Sequence, residues 1–306
     1  MSPGLVARRR GRALLFASAA FFGLAAMFAR TATQAGMGGG QVTLVRFSVG
    51  LASVVALFVA RPGTFRPRKP MLLAARGFFG GLAALLYFLA LERVSAGEAT
   101  LLNNTFPIFA VLLSLHVLDE RPTVHLALAL AVASAGVYLV LGGGEVRFAL
   151  GAGEVLGLVS GLLGGAAVTA IRALRANVNA PTIFFSFSVG GLLVSLPYAT
   201  APWPHAPTAY VAALACGVVA FLAQLSMTQA YGALSVPEAA LWQQLTPIAS
   251  YACAAVFLGE RVAPATLVGV LLGVGGIVYG SILGHRARDP GSDEARVAAG
   301  IAAEEP

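Results

Sequence analysis

Four side-chain amides carry the most informative chemistry in this chain. Asn103 and Asn104 stand in one apolar block and Gln243 and Gln244 in another, each pair followed three residues after its second amide by a proline, Pro107 or Pro247. At helical spacing Thr100, Asn103, Asn104 and Pro107 share one face, as do Gln243, Gln244, Pro247 and Tyr251. An amide left unsatisfied in hydrocarbon costs several kcal/mol, so both faces must turn inward. There they either bond neighbouring helices together or line a polar cavity. Pro107 and Pro247 add to the second reading, because each removes a helical hydrogen bond and frees the carbonyl of Asn103 or Gln243. Tyr87, Gln224, Thr228 and Trp242 complete the candidate substrate cavity.

The carboxylates tell a second story. Ser95 and Glu98 form an S-x-x-E pair before one amide face, and Ser235 and Glu238 repeat it before the other. In that motif hydroxyl and carboxylate satisfy free N–H groups of a first helical turn. A membrane carboxylate is also a group that binds an amine or takes a proton, so Glu98 and Glu238 are candidates for caps or for gates. Arg46 and Arg76 fall about one turn inside their apolar blocks and read as cations snorkelling to the nearby interface, the alternative being contact with substrate. His116 and His125 flank the Asp119-Glu120-Arg121 turn and read as interfacial. No catalytic set accompanies these groups: the chain has no H-E-x-x-H pair, no Asp inside an apolar block and no local Ser-His motif. Cys216 and Cys253 have no neighbouring His or acid, so no metal site and no cofactor is expected.

The elements that must position these groups follow from composition. Of 306 residues 58% are apolar and only 11% charged, with a mean hydropathy of +0.82. A soluble domain needs roughly a quarter charged residues. The apolar residues come in blocks of about twenty, enough for a helix to cross a core of about 30 Å. The expected fold is an all-α integral membrane protein of ten transmembrane helices, near 13–31, 41–60, 71–91, 97–117, 122–141, 151–172, 180–199, 208–229, 237–257 and 262–284. Residues 1–12 form a basic amino-terminus and 285–306 a tail without apolar periodicity. The net charge of +7 is laid out as a topology signal, with Arg8, Arg9, Arg10, Arg12, Arg61, Arg66, Arg68 and Lys69 clustered on one side, so no nucleic-acid partner is expected. Thirteen basic residues fall on that side and four on the other, which places both termini in the cytoplasm of an inner-membrane protein.

Sliding the chain against itself reveals a duplication at a shift of 140. From Ala90 to Gly136 eleven of 47 positions are identical, among them Ser95, Glu98, Pro107, Glu120 and Arg121 with Ser235, Glu238, Pro247, Glu260 and Arg261. Phe47-Ser48-Val49-Gly50 likewise returns as Phe187-Ser188-Val189-Gly190. The repeats span 13–141 and 151–284 with five helices each, so the second enters the membrane from the opposite side. Such inverted repeats typify secondary transporters with a site near the midplane. Gly153, Gly157, Gly161 and Gly165, and again Gly276, Gly280 and Gly284, form small-residue stripes for close helix packing.

Ten spans in two fives, with the paired signatures Leu118-Asp119-Glu120-Arg121 and Leu258-Gly259-Glu260-Arg261 each preceded by a proline in the same helix, resemble the drug/metabolite transporter superfamily and its EamA-type bacterial exporters. Within these the likeness is to the aromatic and general amino-acid exporter branch. The resemblance implies export of amino acids or similar metabolites by alternating access, by a monomer whose partners are a small-molecule substrate and the lipid bilayer. Drug or other metabolite export on the same fold is the alternative, with a membrane-embedded enzyme behind it. Glu98, Glu154 and Glu238 all lie within about a turn or so of a span end, which favours facilitated export over strong proton coupling.

Overall fold

The computed structural model describes residues 3–91, 93–94, 96–142, 151–258 and 264–283. Among them the chain is helical throughout, with no strand. Ser95, the Gly259-Glu260-Arg261 half of the second signature, Gly284 and the 285–306 tail lie outside the described residues. The first repeat contains α1 (Pro3–Gln34), α2 (Gly39–Ala60), α3 (Pro70–Leu91), α4 (Ala96–Asn103), α5 (Phe106–Val117) and α6 (Val124–Gly142). The second contains α7 (Ala152–Arg175), α8 (Ala180–Ser195) with a short 3-10 extension (Leu196–Thr200), α9 (Pro207–Ala230), α10 (Val236–Gln243), α11 (Leu245–Leu258) and α12 (Pro264–Leu283). Nine of the ten expected spans are long and apolar enough to cross a bilayer among the described residues, and α10 with α11 makes the other.

Two departures from the expected spans matter. The first helix begins at Pro3, so the basic amino-terminus is its opening turns and Arg8 and Arg12 share one face of α1. The fourth and ninth spans are broken, between Asn103 and Phe106 and at Gln244. Proline explains the position: Pro107 has no N–H to return to the Asn103 carbonyl, and Pro247 none for Gln243. At the first break the Leu102 carbonyl instead accepts from the Thr105 N–H at 3.2 Å and the Thr105 hydroxyl at 2.6 Å.

Packing follows the inverted duplication. The seating of α1 on α9 is mirrored by α3 on α7, α1 on α11 by α5 on α7, and α3 on α8 by α2 on α9. The pairs α2 with α8 and α6 with α12 straddle the pseudo-two-fold axis. The mirror is incomplete among the described residues: α10 packs on α5 and α6 and α11 on α6, whereas the matching contacts of α4 with α11 and α12 and of α5 with α12 are at most marginal, and α3 meets α4 where α9 with α10 is at most marginal. The half-helix α10 starts on the face that carries the Pro70 and Asp119 turns, called here the amino-terminal face.

Glycine makes the closest approaches. A Cβ on Gly161 of α7 would sit 2.8 Å from the Leu102 carbonyl oxygen, against Thr105 and the break between α4 and α5. One on Gly275 of α12 would meet nothing within 4 Å. Gly161→Ala should therefore destabilise the detergent-solubilised protein by about 1–3 kcal/mol through overpacking, and Gly275→Ala should leave the thermal midpoint unchanged. Equal midpoints for the two variants would contradict the close seating of α7 on the broken span.

Candidate functional site

The breaks bring the amides together. Asn104 Nδ2 donates to Gln244 Oε1 at 2.7 Å, a bond between residues 140 apart, which makes them equivalent positions of the two repeats. Phe47 and Phe187, also 140 apart, meet edge to face with ring centroids 4.9 Å apart. Equivalent residues touch only where the pseudo-two-fold axis passes between them. In an inverted repeat that axis lies in the membrane plane, so both contacts mark half-depth.

The remaining amides are also engaged. Gln244 is fully buried and donates Nε2 to Ser134 Oγ at 2.9 Å. Asn103 donates to Ser160 Oγ at 2.9 Å, and Gln243 donates to the Tyr231 hydroxyl at 3.4 Å. Burial raises the pKa of that phenol above its ordinary value, keeping it protonated. Tyr87 shares a hydrogen bond with Thr100 at 3.0 Å. Gln224 Oε1 accepts from Arg76 at 3.4 Å. Pro107 and Pro247 are buried at the starts of their half-helices. Thr228 Oγ1 and Trp242 Nε1 are buried with no partner, and so is Thr246 Oγ1 one turn beyond Trp242.

The carboxylates seal the amino-terminal face. Ser235 takes the N-cap position of α10 with extended backbone, yet its hydroxyl makes no capping bond, so the box expected from sequence is not closed there. The cap comes from the other repeat: Glu120 Oε2 accepts the Val236 N–H at 2.6 Å while its Oε1 accepts from Arg172 Nε at 2.7 Å. Arg172 in turn donates to the Tyr231 carbonyl at 3.1 Å. Asp119 makes this reach possible, for its φ of 52° reverses the chain after α5 and returns the Glu120 N–H to the Ser114 carbonyl. Left-handed backbone suits Asp or Gly, and position 259, its repeat equivalent, is a glycine. Glu238, 3% exposed, is held by Arg12 at 3.0 Å and Arg8 at 3.5 Å, a triad that pins α1 to the start of α10. Glu98 lies in the first turn of α4.

Arg46 and Arg76 do not snorkel. Arg76 is 2% exposed and its guanidinium carbon lies 4.1 Å from the centroid of Phe187, one of the two rings on the axis. Arg46 adjoins Phe47, the other. Counting residues from the span ends placed both near an interface; the contact between repeats places them at half-depth.

Comparison with known proteins agrees with this architecture. Two consecutive stretches, residues 9–142 and 151–281, match the model of the EamA-like transporter family. The chain belongs to that family. Like other EamA-like transporters it is a multi-pass membrane protein built from two repeats. It is 29% identical over 196 residues to the pseudopaline exporter CntI of Pseudomonas aeruginosa, covering 62% of this chain and 68% of that one. To a probable terminal-alkyne amino-acid exporter of Streptantibioticus cattleyicolor it is 31% identical over 257 residues, covering 79% and 84%. A solved crystal structure shares the fold with a TM-score of 0.78 over 91% of this chain and 99% of its own, at 20% identity. The two named relatives are an exporter and a probable exporter, and this chain is a membrane exporter of the EamA type.

Glu120 serves two partners, and truncation separates them. Glu120→Ala should lower stability by about 2 kcal/mol, the scale of a charge-assisted bond plus a lost helix cap. Glu120→Gln, which still accepts from Val236 but has no charge for Arg172, should fall between. A wild-type thermal midpoint for Glu120→Ala would show that the seal carries no weight.

Proposed function

We propose that this EamA-type transporter exports amino acids or closely related small metabolites from the cytoplasm by alternating access, through a site near half-depth between its repeats. The observation that carries this reading is the bond between Asn104 and Gln244. It joins equivalent residues at the ends of two broken half-helices, the place where inverted-repeat transporters build their sites. In this reading Asn103, Gln243, Gln224, Thr228, Trp242 and Tyr87 would serve the substrate path, with Pro107 and Pro247 keeping the half-helices broken. The names of the relatives support an amino-acid-like cargo.

The broken mirror relation supports a direction for the cycle. With the amino-terminal face cytoplasmic, the packing of α10 on α5 and α6 and the ion pairs of Glu120 and Glu238 support a state closed to the cytoplasm. Opening inward would release Glu238 and Glu120 together, and α4 would take up the contacts that α10 leaves. The Asn104 to Gln244 bond lies on the axis, so it would change least as the repeats rock. No carboxylate accompanies it at half-depth among the described residues, which favours export down the substrate's own gradient.

Two measurements test this. In a background with Cys216 and Cys253 replaced by Ala, cysteines at Gln34 and Thr208 should react with an impermeant maleimide added outside cells, and one at Arg68 only after permeabilisation. All three positions are exposed. In proteoliposomes the wild type should exchange a labelled apolar amino acid against internal unlabelled solute equally with and without a pH gradient. No exchange of any amino acid in a panel, with the protein correctly inserted, would reject the reading.

A further inference from the structure

Arg46 and Arg76 are left over from every role described so far. Arg76 donates Nη2 to Gln224 at 3.4 Å and lies over Phe187, but its buried Nε has no partner. Arg46 lies 5.7 Å from the Phe47 ring and lines a water-sized cavity with Phe184, Phe187, Phe221 and Gln224. Both arginines lie against Gln224 and Phe187. Among the described residues no carboxylate pairs with either, since Glu120 is bound by Arg172 and Glu238 by Arg8 and Arg12. One turn along α9 from Gln224, Thr228 Oγ1 is buried without a partner as well.

This arrangement is unfavourable as it stands. A buried arginine near the bilayer centre is expensive even on the lenient insertion scales, a second of the same sign adds repulsion, and an aromatic face returns only part of the loss. The repeat equivalents show that the fold does not require the charge: position 186 is a serine and position 216 a cysteine. Both cations belong to one repeat and meet Phe187 or Gln224 of the other, and the cavity beside Arg46 is otherwise walled by four phenylalanines, Ala220 and Gln224. A bare inorganic anion would use the guanidiniums and ignore the rings. A carboxylate on an apolar body uses both.

We propose that Arg46, Arg76 and Gln224 form the anion-binding end of the transport site, taking the carboxylate of the exported solute while its apolar or aromatic portion packs on Phe184 and Phe221. The inference rests on the export reading above and narrows it. Cargo lacking a carboxylate is discriminated against because the planar arginine forks are left unpaired.

The test uses the full chain in nanodiscs of zwitterionic lipid and a matched pair of probes, phenylpropanoate and phenylpropanamide, titrated by calorimetry. The wild type should bind the carboxylate at least about tenfold more tightly than the amide, the scale of one charge-assisted bond. Arg76→Gln and Arg46→Gln should each abolish that preference, and Arg76→Lys should restore part of it. Without ligand, Arg76→Gln should melt at or above the wild-type temperature, because an uncompensated buried charge has been removed. Equal affinity for the two probes, stronger binding of inorganic phosphate than of phenylpropanoate, or a preference that survives both glutamine variants would overturn the proposal. So would a lower melting temperature in Arg76→Gln with the preference intact in Arg46→Gln, which assigns the pair to packing. Counterflow keeps the two readings apart: exchange of neutral and carboxylate solutes alike sinks this inference and leaves export standing, whereas carboxylate-selective binding without any amino-acid exchange does the reverse.

Discussion

Hydrocarbon leaves no polar group unattended, and the single hydrogen bond from Asn104 to Gln244 is where this chain meets that constraint most directly. Each broken span ends a half-helix in mid-membrane, where backbone and amide groups have no water to fall back on. The duplication provides the remedy, because the axis that relates the repeats brings the two breaks face to face and lets one amide satisfy the other. Ser134 and Ser160, from α6 and α7, take the amide donors left over. The close seating of Gly161 against the Leu102 carbonyl then keeps lipid away from the exposed turn. Break, symmetry and glycine stripe are thus one solution rather than three features.

Symmetry supplies the frame, and departures from it supply the function. An exactly symmetric pair of repeats would sit with both faces alike. Here the amino-terminal face carries Arg8, Arg12 and Arg172 opposite Glu238 and Glu120, and the repeat equivalents of the two α1 arginines and of Arg172 that fall within the chain, Phe148, Ala152 and Ala32, are uncharged. Ion pairs half-shielded from water add to the closure of that face. The Arg172 to Glu120 pair is partly exposed and so worth little by itself, whereas Glu238 is buried beneath its two arginines.

How much of this could be read from sequence depended on whether the signal was local. The spans and the duplication are periodic patterns within twenty to a hundred and forty residues, and they are present in the structure, whereas the continuous helical faces expected for the amides are interrupted by the breaks at Asn104 and Gln244. Pro107 and Pro247 pointed to freed carbonyls, but a missing N–H is compatible with either a kinked helix or a broken one, and only the turn around Thr105 decides between them. The role of Glu238 was hidden because its partner Arg12 lies 226 residues away on a helix whose first turns had been assigned to a basic leader. Glu120 capping Val236 was hidden for the same reason, 116 residues apart. No pattern in one strand of text reports a cap donated across repeats.

The arginines show a subtler failure. Distance along the chain from the nearest charge or proline gives depth only when helices start at the interface and run straight. Phe47 sits beside Arg46 and is matched by Phe187 at the same shift as the amides, so the sequence already contained the two residues that mark the axis. What it lacked was the knowledge that they touch. Once they do, Arg46 and Arg76 cannot be interfacial, and their meaning inverts: a cation at the edge of a span orients the protein, whereas a cation at the axis must be answered by something. The protein answers with aromatic faces and one amide oxygen, which is less than two positive charges require. That remaining demand is a physical reason for an EamA-type fold to hold an acidic solute at the point where its two halves meet.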